Sequence, residues 1–102
     1  MTKIHHTTYE RLYKAVDSLS TGTSSLQKRL EYAAISLVPL IAREFPDDLQ
    51  SEFDSIMEAL SNKPEKVEGE GTIAATTRQM PDEKAQEIAE SILSLFASVA
   101  DL

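Results

Sequence analysis

His5, His6 and Glu10 come nearest in this chain to a chemical constellation. His6 and Glu10 are four residues apart, so a helix brings them onto one face, and imidazole with carboxylate is a donor set that suits zinc or nickel. So close to the N-terminus, they lack the rigid neighbours that hold ligating side chains in place. Residues 1–7 therefore read as a flexible, solvated segment with no metal. These are also the only two histidines, which leaves the rest of the chain without the commonest general base. The chain has no Cys, and no serine lies in a Gly-x-Ser-x-Gly setting that would make it a nucleophile. Carboxylates crowd the second half, but on solvated helix faces nothing shifts their pKa toward acid–base work. No catalytic residue, cofactor or metal is expected, and the chain does not read as an enzyme.

Gly69-Glu70-Gly71-Thr72 precedes a helical stretch and offers backbone amides that an anion could use. It lacks the lysine of a phosphate-binding loop and the strand that should come before it, and Glu68 and Glu70 repel phosphate. A mobile loop over 62–71 followed by a helix cap is the better reading.

Two surfaces carry more weight. From Glu44 to Asn62 there is no Lys or Arg, whereas Glu44, Asp47, Asp48, Glu52, Asp54 and Glu58 are all acidic. Asp48–Glu52 and Asp54–Glu58 are like-charge pairs at i,i+4, which mildly destabilise an isolated helix. This face serves solubility, or it pairs with Arg11, Lys14, Lys28, Arg29 or Arg43 within the bundle or across a dimer, or it steers a basic partner. The second surface is the back of the second helix. On a helical wheel Tyr32 and Ile35 fall almost opposite the stripe Leu26, Leu30 and Leu37, with Pro39 on the same back face. A one-sided helix should be polar there. Either the chain covers both sides of this helix, or Tyr32 and Ile35 belong to an interface.

The elements that position these residues follow from apolar spacing. Tyr9, Leu12, Tyr13, Val16 and Leu19 recur at offsets of three and four and predict a helix over about 8–19, ended by the turn Ser20-Thr21-Gly22-Thr23. Ser24 and Gln27 have capping-box spacing and open a second helix with the inward stripe Leu26, Leu30, Ala33, Ala34 and Leu37. Pro39 should end or kink it near Val38, with a short extra turn over 40–44. Pro46, Asp47 and Asp48 suit the start of a third helix, whose stripe is Leu49, Phe53, Ile56, Met57 and Leu60. Thr72 is placed to cap a short helix over 73–79. Met80-Pro81-Asp82-Glu83 restarts a last helix to about Ala100 with the stripe Ala85, Ile88, Ala89, Ile92, Leu93, Leu95, Phe96 and Val99. That stripe covers an arc of roughly 160°, wider than the ~100° of a one-sided helix, so this helix is expected at the centre. No β-type alternation is sustained anywhere. The fold class is all-α: a four-helix bundle with a short additional helix before the C-terminal helix, all in one domain, 1–102.

Length and composition agree with one folded domain. At 102 residues and 41% hydrophobic, the chain can bury about two-thirds of its unfolded surface without disulfides or metals. The charge is uneven. Residues 1–43 carry six cations and three anions, residues 44–102 four cations and fourteen anions, and the whole chain is −7. Direct nucleic-acid binding needs the opposite balance. No signal-peptide stretch follows Met1, and the densest apolar run, 37–42, is too short to cross a bilayer, so no membrane association is expected and the default location is cytoplasmic.

Residues 71–96, with Thr72-Ile73-Ala74-Ala75-Thr76 and then Met80-x-Asp82-Glu83-x-Ala85, resemble small uncharacterised bacterial helical proteins. The resemblance covers about a third of the chain. It implies a bacterial origin and a helical fold, and it brings no activity or binding residues with it. The resulting expectation is a small cytoplasmic protein–protein interaction module, as a homodimer or with another protein, working through Tyr32, Ile35 and the acidic residues Asp47, Asp48, Glu52, Asp54 and Glu58. The alternative is an acidic regulatory protein, of the antitoxin or DNA-mimic type, that occupies a basic partner.

Overall fold

The computed structural model describes residues 4–102, and every regular element in them is helical: α1 (His6–Ser20), α2 (Leu26–Leu37), a 3-10 turn (Ala42–Glu44), α3 (Asp47–Ser61), α4 (Thr72–Arg78) and α5 (Asp82–Ala100). Of the segment 1–7, the first three residues lie outside the described part. Ile4 packs against the core, and α1 begins at His6, two residues earlier than the apolar spacing suggests. The reason is local: the His5 ring nitrogen Nδ1 accepts the Thr7 amide at 3.2 Å and caps the helix.

The buried face of α1 is Thr8, Leu12, Ala15 and Leu19. The expected stripe is rotated: Tyr9 and Val16 are half-buried, and Tyr13 is exposed. Thr8 donates to a Glu44 carboxylate oxygen at 3.5 Å, so a polar residue takes an inward position that apolar spacing misses. Thr21 closes the helix with its amide and its hydroxyl, both donated to the Asp17 carbonyl, and Gly22 turns the chain at φ 91°, where a Cβ would be strained.

The cap of α2 differs from expectation. Ser25, not Ser24, accepts the Lys28 amide at 3.2 Å, and no capping box with Gln27 forms. Gln27 instead reaches across to the Met80 carbonyl (3.0 Å) and to Asp82 (2.7 Å), tying α2 to the start of α5. Arg29 donates to the Leu19 carbonyl (2.6 Å) and the Ser24 carbonyl (3.1 Å), which satisfies a carbonyl left open at the end of α1. Leu30, Ala33, Ala34 and Leu37 are fully buried, and the helix stops ahead of Pro39 as expected. The Glu44 carboxylate then accepts the Ile41 amide at 2.7 Å and holds the 3-10 turn.

Pro46 sits just ahead of α3 as its cap rather than inside it. Leu49, Phe53, Ile56 and Leu60 go inward, and Phe45 stacks on Phe53 with ring centres 4.7 Å apart. Gly71, at φ 85°, opens α4 in place of Thr72. Within α4 the Thr76 and Thr77 hydroxyls donate to the Thr72 and Ile73 carbonyls, so both threonines are buried with their polar groups satisfied.

In α5, Ala85, Ile88, Ala89, Ile92, Leu95 and Val99 are buried, and Phe96 is half-buried beside Tyr9 and Tyr13. Leu93 is exposed, which narrows the wide arc read from the sequence to one side of the helix. The central place is accordingly shared. α5 packs on α1, α2 and α3, while α2 packs on α1, α3, α4 and α5. The whole measures 45 × 26 × 22 Å.

A paired substitution checks this assignment of faces. Leu30→Ala should cost about 2–5 kcal/mol because the site, packed on several helices, cannot collapse. Leu93→Ala should stay within about 0.5 kcal/mol. Urea unfolding followed by circular dichroism measures both, and equal costs would contradict the packing described.

Candidate functional site

The back of α2 answers the question the sequence left open: its own chain does not cover it. Tyr32, Ile35, Val38 and Ile41 are 46–55% exposed. From Tyr32 to Ile41 there is no charged residue. The exposed surface from the C-terminal half of α2 (Tyr32, Ile35) through the segment after it (Val38, Ile41) is therefore uncharged and apolar, in a chain that is otherwise rich in charge. Lys28 lies over the Tyr32 ring at 5.5 Å and marks the polar border of this patch. Ile35 also joins Ile73 of α4 in lining a small hollow with Glu31, Glu70, Gly71, Thr72 and Ala74.

The acidic residues of α3 stand elsewhere. Asp47, Asp48, Asp54 and Glu58 are exposed and Glu52 is half-buried on the outer side of α3. The ion pairs among the described residues are His6–Glu10, Lys28–Glu31, Arg78–Glu70 and Lys84–Glu87. None involves α3, so the acidic face is not neutralised within the fold by Arg11, Lys14, Lys28, Arg29 or Arg43. Lys28 is taken by Glu31 and Arg29 by backbone carbonyls. The structure thus places Tyr32 and Ile35 together on one surface and the five α3 acids together on another. Glu52 also lines a groove toward α5 with Ser55, Lys84, Glu87 and Ser91.

His6 and Glu10 do meet, with Nε2 to Oε1 at 3.0 Å, while His5 turns away to cap α1. Among the described residues no group of three or more His, Asp or Glu is arranged to hold a metal ion.

One feature was not foreseen from the sequence. A cavity of about 500 Å³ lies between α2 and α4, lined by Ser25, Gln27, Lys28 and Glu31 on one side and Glu70, Ala74, Thr77, Arg78 and Met80 on the other. Glu70 accepts two hydrogen bonds from Arg78, at 2.6 Å from Nε and 3.1 Å from Nη2, in the forked geometry of a guanidinium–carboxylate pair. The Lys66 amide adds a third at 3.3 Å, and Glu65 accepts the Gly71 amide at 2.8 Å. Lys63 donates its amide to Thr76 at 2.9 Å. The loop 62–71 is thereby tied to α4 at several points. Arg78 and the Lys66 amide hold the Glu70 carboxyl below its ordinary value, against the opposing effect of burial, and Glu70 in turn raises Arg78. Lys28 is raised by its hydrogen bond to Glu31, with that carboxylate's charge and Tyr32 adding to it. The sequence signal for the Glu70–Arg78 pair is weak because the partners are eight residues apart, across a helix cap, and share no helical register.

This chain matches no family model, no curated protein and no solved structure. Among the described residues, no helix is long and apolar enough to cross a membrane.

The loop tie has a pH dependence of definite sign. A carboxyl whose pKa falls on folding contributes stability above its unfolded value, and that contribution is lost as pH drops through the folded value. The Glu70 tie should therefore be intact above about pH 4.5 and weaken below it. Titration of the Glu70 side chain by carbon NMR should give a midpoint under 4.5, and Arg78→Gln should raise it. An identical midpoint in both proteins would show that the pair does not persist in solution.

Proposed function

We propose that this chain is a small cytoplasmic protein–protein interaction module that forms a homodimer through the outer face of α2. On this reading α1, α2, α3 and α5 act as a four-helix bundle, with α4 as the short additional helix. The observation that carries the proposal is the half-exposed, uncharged run of Tyr32, Ile35, Val38 and Ile41. A helix apolar on both sides is normally covered on both sides. Here the inner side, Leu30, Ala33, Ala34 and Leu37, is covered by the chain and the outer one is open. Centres of protein interfaces are poor in charge and rich in aromatic and aliphatic side chains, as this face is. A second copy also suits its electrostatics. The α3 acids lie on another helix, so two copies joined at α2 do not bring those carboxylates into the contact. The resemblance of residues 71–96 to small bacterial helical proteins supports a bacterial setting.

A second reading rests on the acids of α3, which form no ion pair among the described residues: an acidic regulator, of the antitoxin or DNA-mimic type, that occupies a basic partner. Copurification of a strongly basic protein, whose association slows as salt is raised, would support it.

Sedimentation velocity tests the first reading. The wild type should sediment as a dimer at about 100 μM, a modest demand for a specific contact. The Tyr32→Glu, Ile35→Glu double variant should be a monomer with an unchanged circular dichroism spectrum. A monomeric wild type at that concentration would remove the homodimer.

A further inference from the structure

We propose that the cavity between α2 and α4 binds a small zwitterion of amino-acid or dipeptide size, holding its carboxylate with Lys28 and Arg78 and its ammonium with Glu31. The site borders the α2 dimer face, where Lys28 lies over Tyr32, and its test does not require that the dimer forms. The cavity, at about 500 Å³, falls within the size of small-ligand sites. Its walls come from three separate stretches of chain: the start of α2, the end of the 62–71 loop, and α4 through Met80.

The charges lining it are two cations and two anions, and they occur as two pairs. Lys28 Nζ meets Glu31 Oε1 at 3.2 Å, and Arg78 meets Glu70 at 2.6 Å. The carboxylates are the sheltered members, with side chains 22% and 12% exposed, while both cations are 50% exposed. Neither pair is saturated. An ammonium has three N–H groups, and one of Lys28's is used here. A guanidinium has five, and the pair with Glu70 engages two of Arg78's. Among the described residues Glu31 Oε2 makes no hydrogen bond, whereas both oxygens of Glu70 are occupied. Donors are thus free on Lys28 and Arg78, and an acceptor is free on Glu31.

Charge balance selects the ligand class. A simple anion would gain from the cations but face two carboxylates, and a simple cation would meet the reverse. A molecule bearing both signs matches the lining in both respects. Ala74 and Met80 supply apolar wall for a short side chain. Gln27 closes one end through its bonds to the Met80 carbonyl and Asp82, so the wall is braced before any ligand arrives.

Amide NMR titration of the whole chain with L-leucine and with glycyl-L-leucine tests the proposal. At least one should give saturable shifts centred on residues 25–31 and 70–80, half-complete at or below about 1 mM. N-acetyl-leucine and leucinamide each lack one of the two charges and should bind at least about tenfold more weakly, as expected for the loss of one charged contact. Lys28→Met and Arg78→Met should weaken the same shifts. The proposal fails if neither probe gives a saturable response, or if the blocked analogues bind as well as L-leucine. The analogue comparison uses the wild type alone, so it decides the matter even if a variant does not fold.

Discussion

The structure depends on α2 having its inner side filled by small and medium aliphatic residues. Leu30, Ala33, Ala34 and Leu37 have no accessible surface, and α2 packs on α1, α3, α4 and α5. The two alanines matter as much as the leucines. Ala33 and Ala34, adjacent in mid-helix, are as fully buried as the two leucines. In a domain of this size few residues are available for the core, and one element in contact with all the others is an economical way to close it. With its inner side committed, α2 presents Tyr32 and Ile35 to the outside, and Val38 and Ile41 are exposed in the chain that follows it.

Polar tethers define how the helices join at their ends. Arg29 holds the end of α1, Gln27 holds the start of α5, and Glu44 couples the 3-10 turn to α1 through Thr8. Glu70 with Arg78 does the same for the 62–71 loop. Every buried side-chain nitrogen and oxygen among the described residues has a hydrogen-bond partner. That matters because an unsatisfied buried polar group costs about 1–3 kcal/mol, a large fraction of the net stability of a small domain. Several of these tethers use residues that a reading for chemistry would assign to solvent.

Charge is segregated in the folded molecule as it is along the chain. The acids of α3 find no basic partner among the described residues, while in the first half Lys28 pairs with Glu31 on its own helix and Arg29 binds backbone carbonyls. The uncharged face of α2, the acidic face of α3 and the mixed-charge cavity between α2 and α4 are therefore three chemically distinct surfaces. Each suits a different class of partner.

Much of the helical content was legible in the residues themselves. Apolar residues at offsets of three and four located α1, α2, α3 and α5, because a 3.6-residue period leaves few other ways to gather apolar side chains on one side, and Thr72 as a candidate cap marked the short α4. Pro39, Pro46 and Pro81 marked boundaries because a missing amide and a fixed φ act locally. The exposed character of Tyr32 and Ile35 was also foreshadowed, since a helical wheel puts them opposite the leucines. Other features were decided by tertiary packing. Whether Leu93 is inside, whether Thr8 replaces Tyr9 in the core, and which serine caps α2 depend on which neighbour arrives at each face, and periodicity does not encode that. The α2–α4 cavity belongs to the same class. Lys28, Glu31, Glu70 and Arg78 come from segments about forty residues apart in the sequence, and only the packing of α4 against α2 turns two ordinary ion pairs into one lined site.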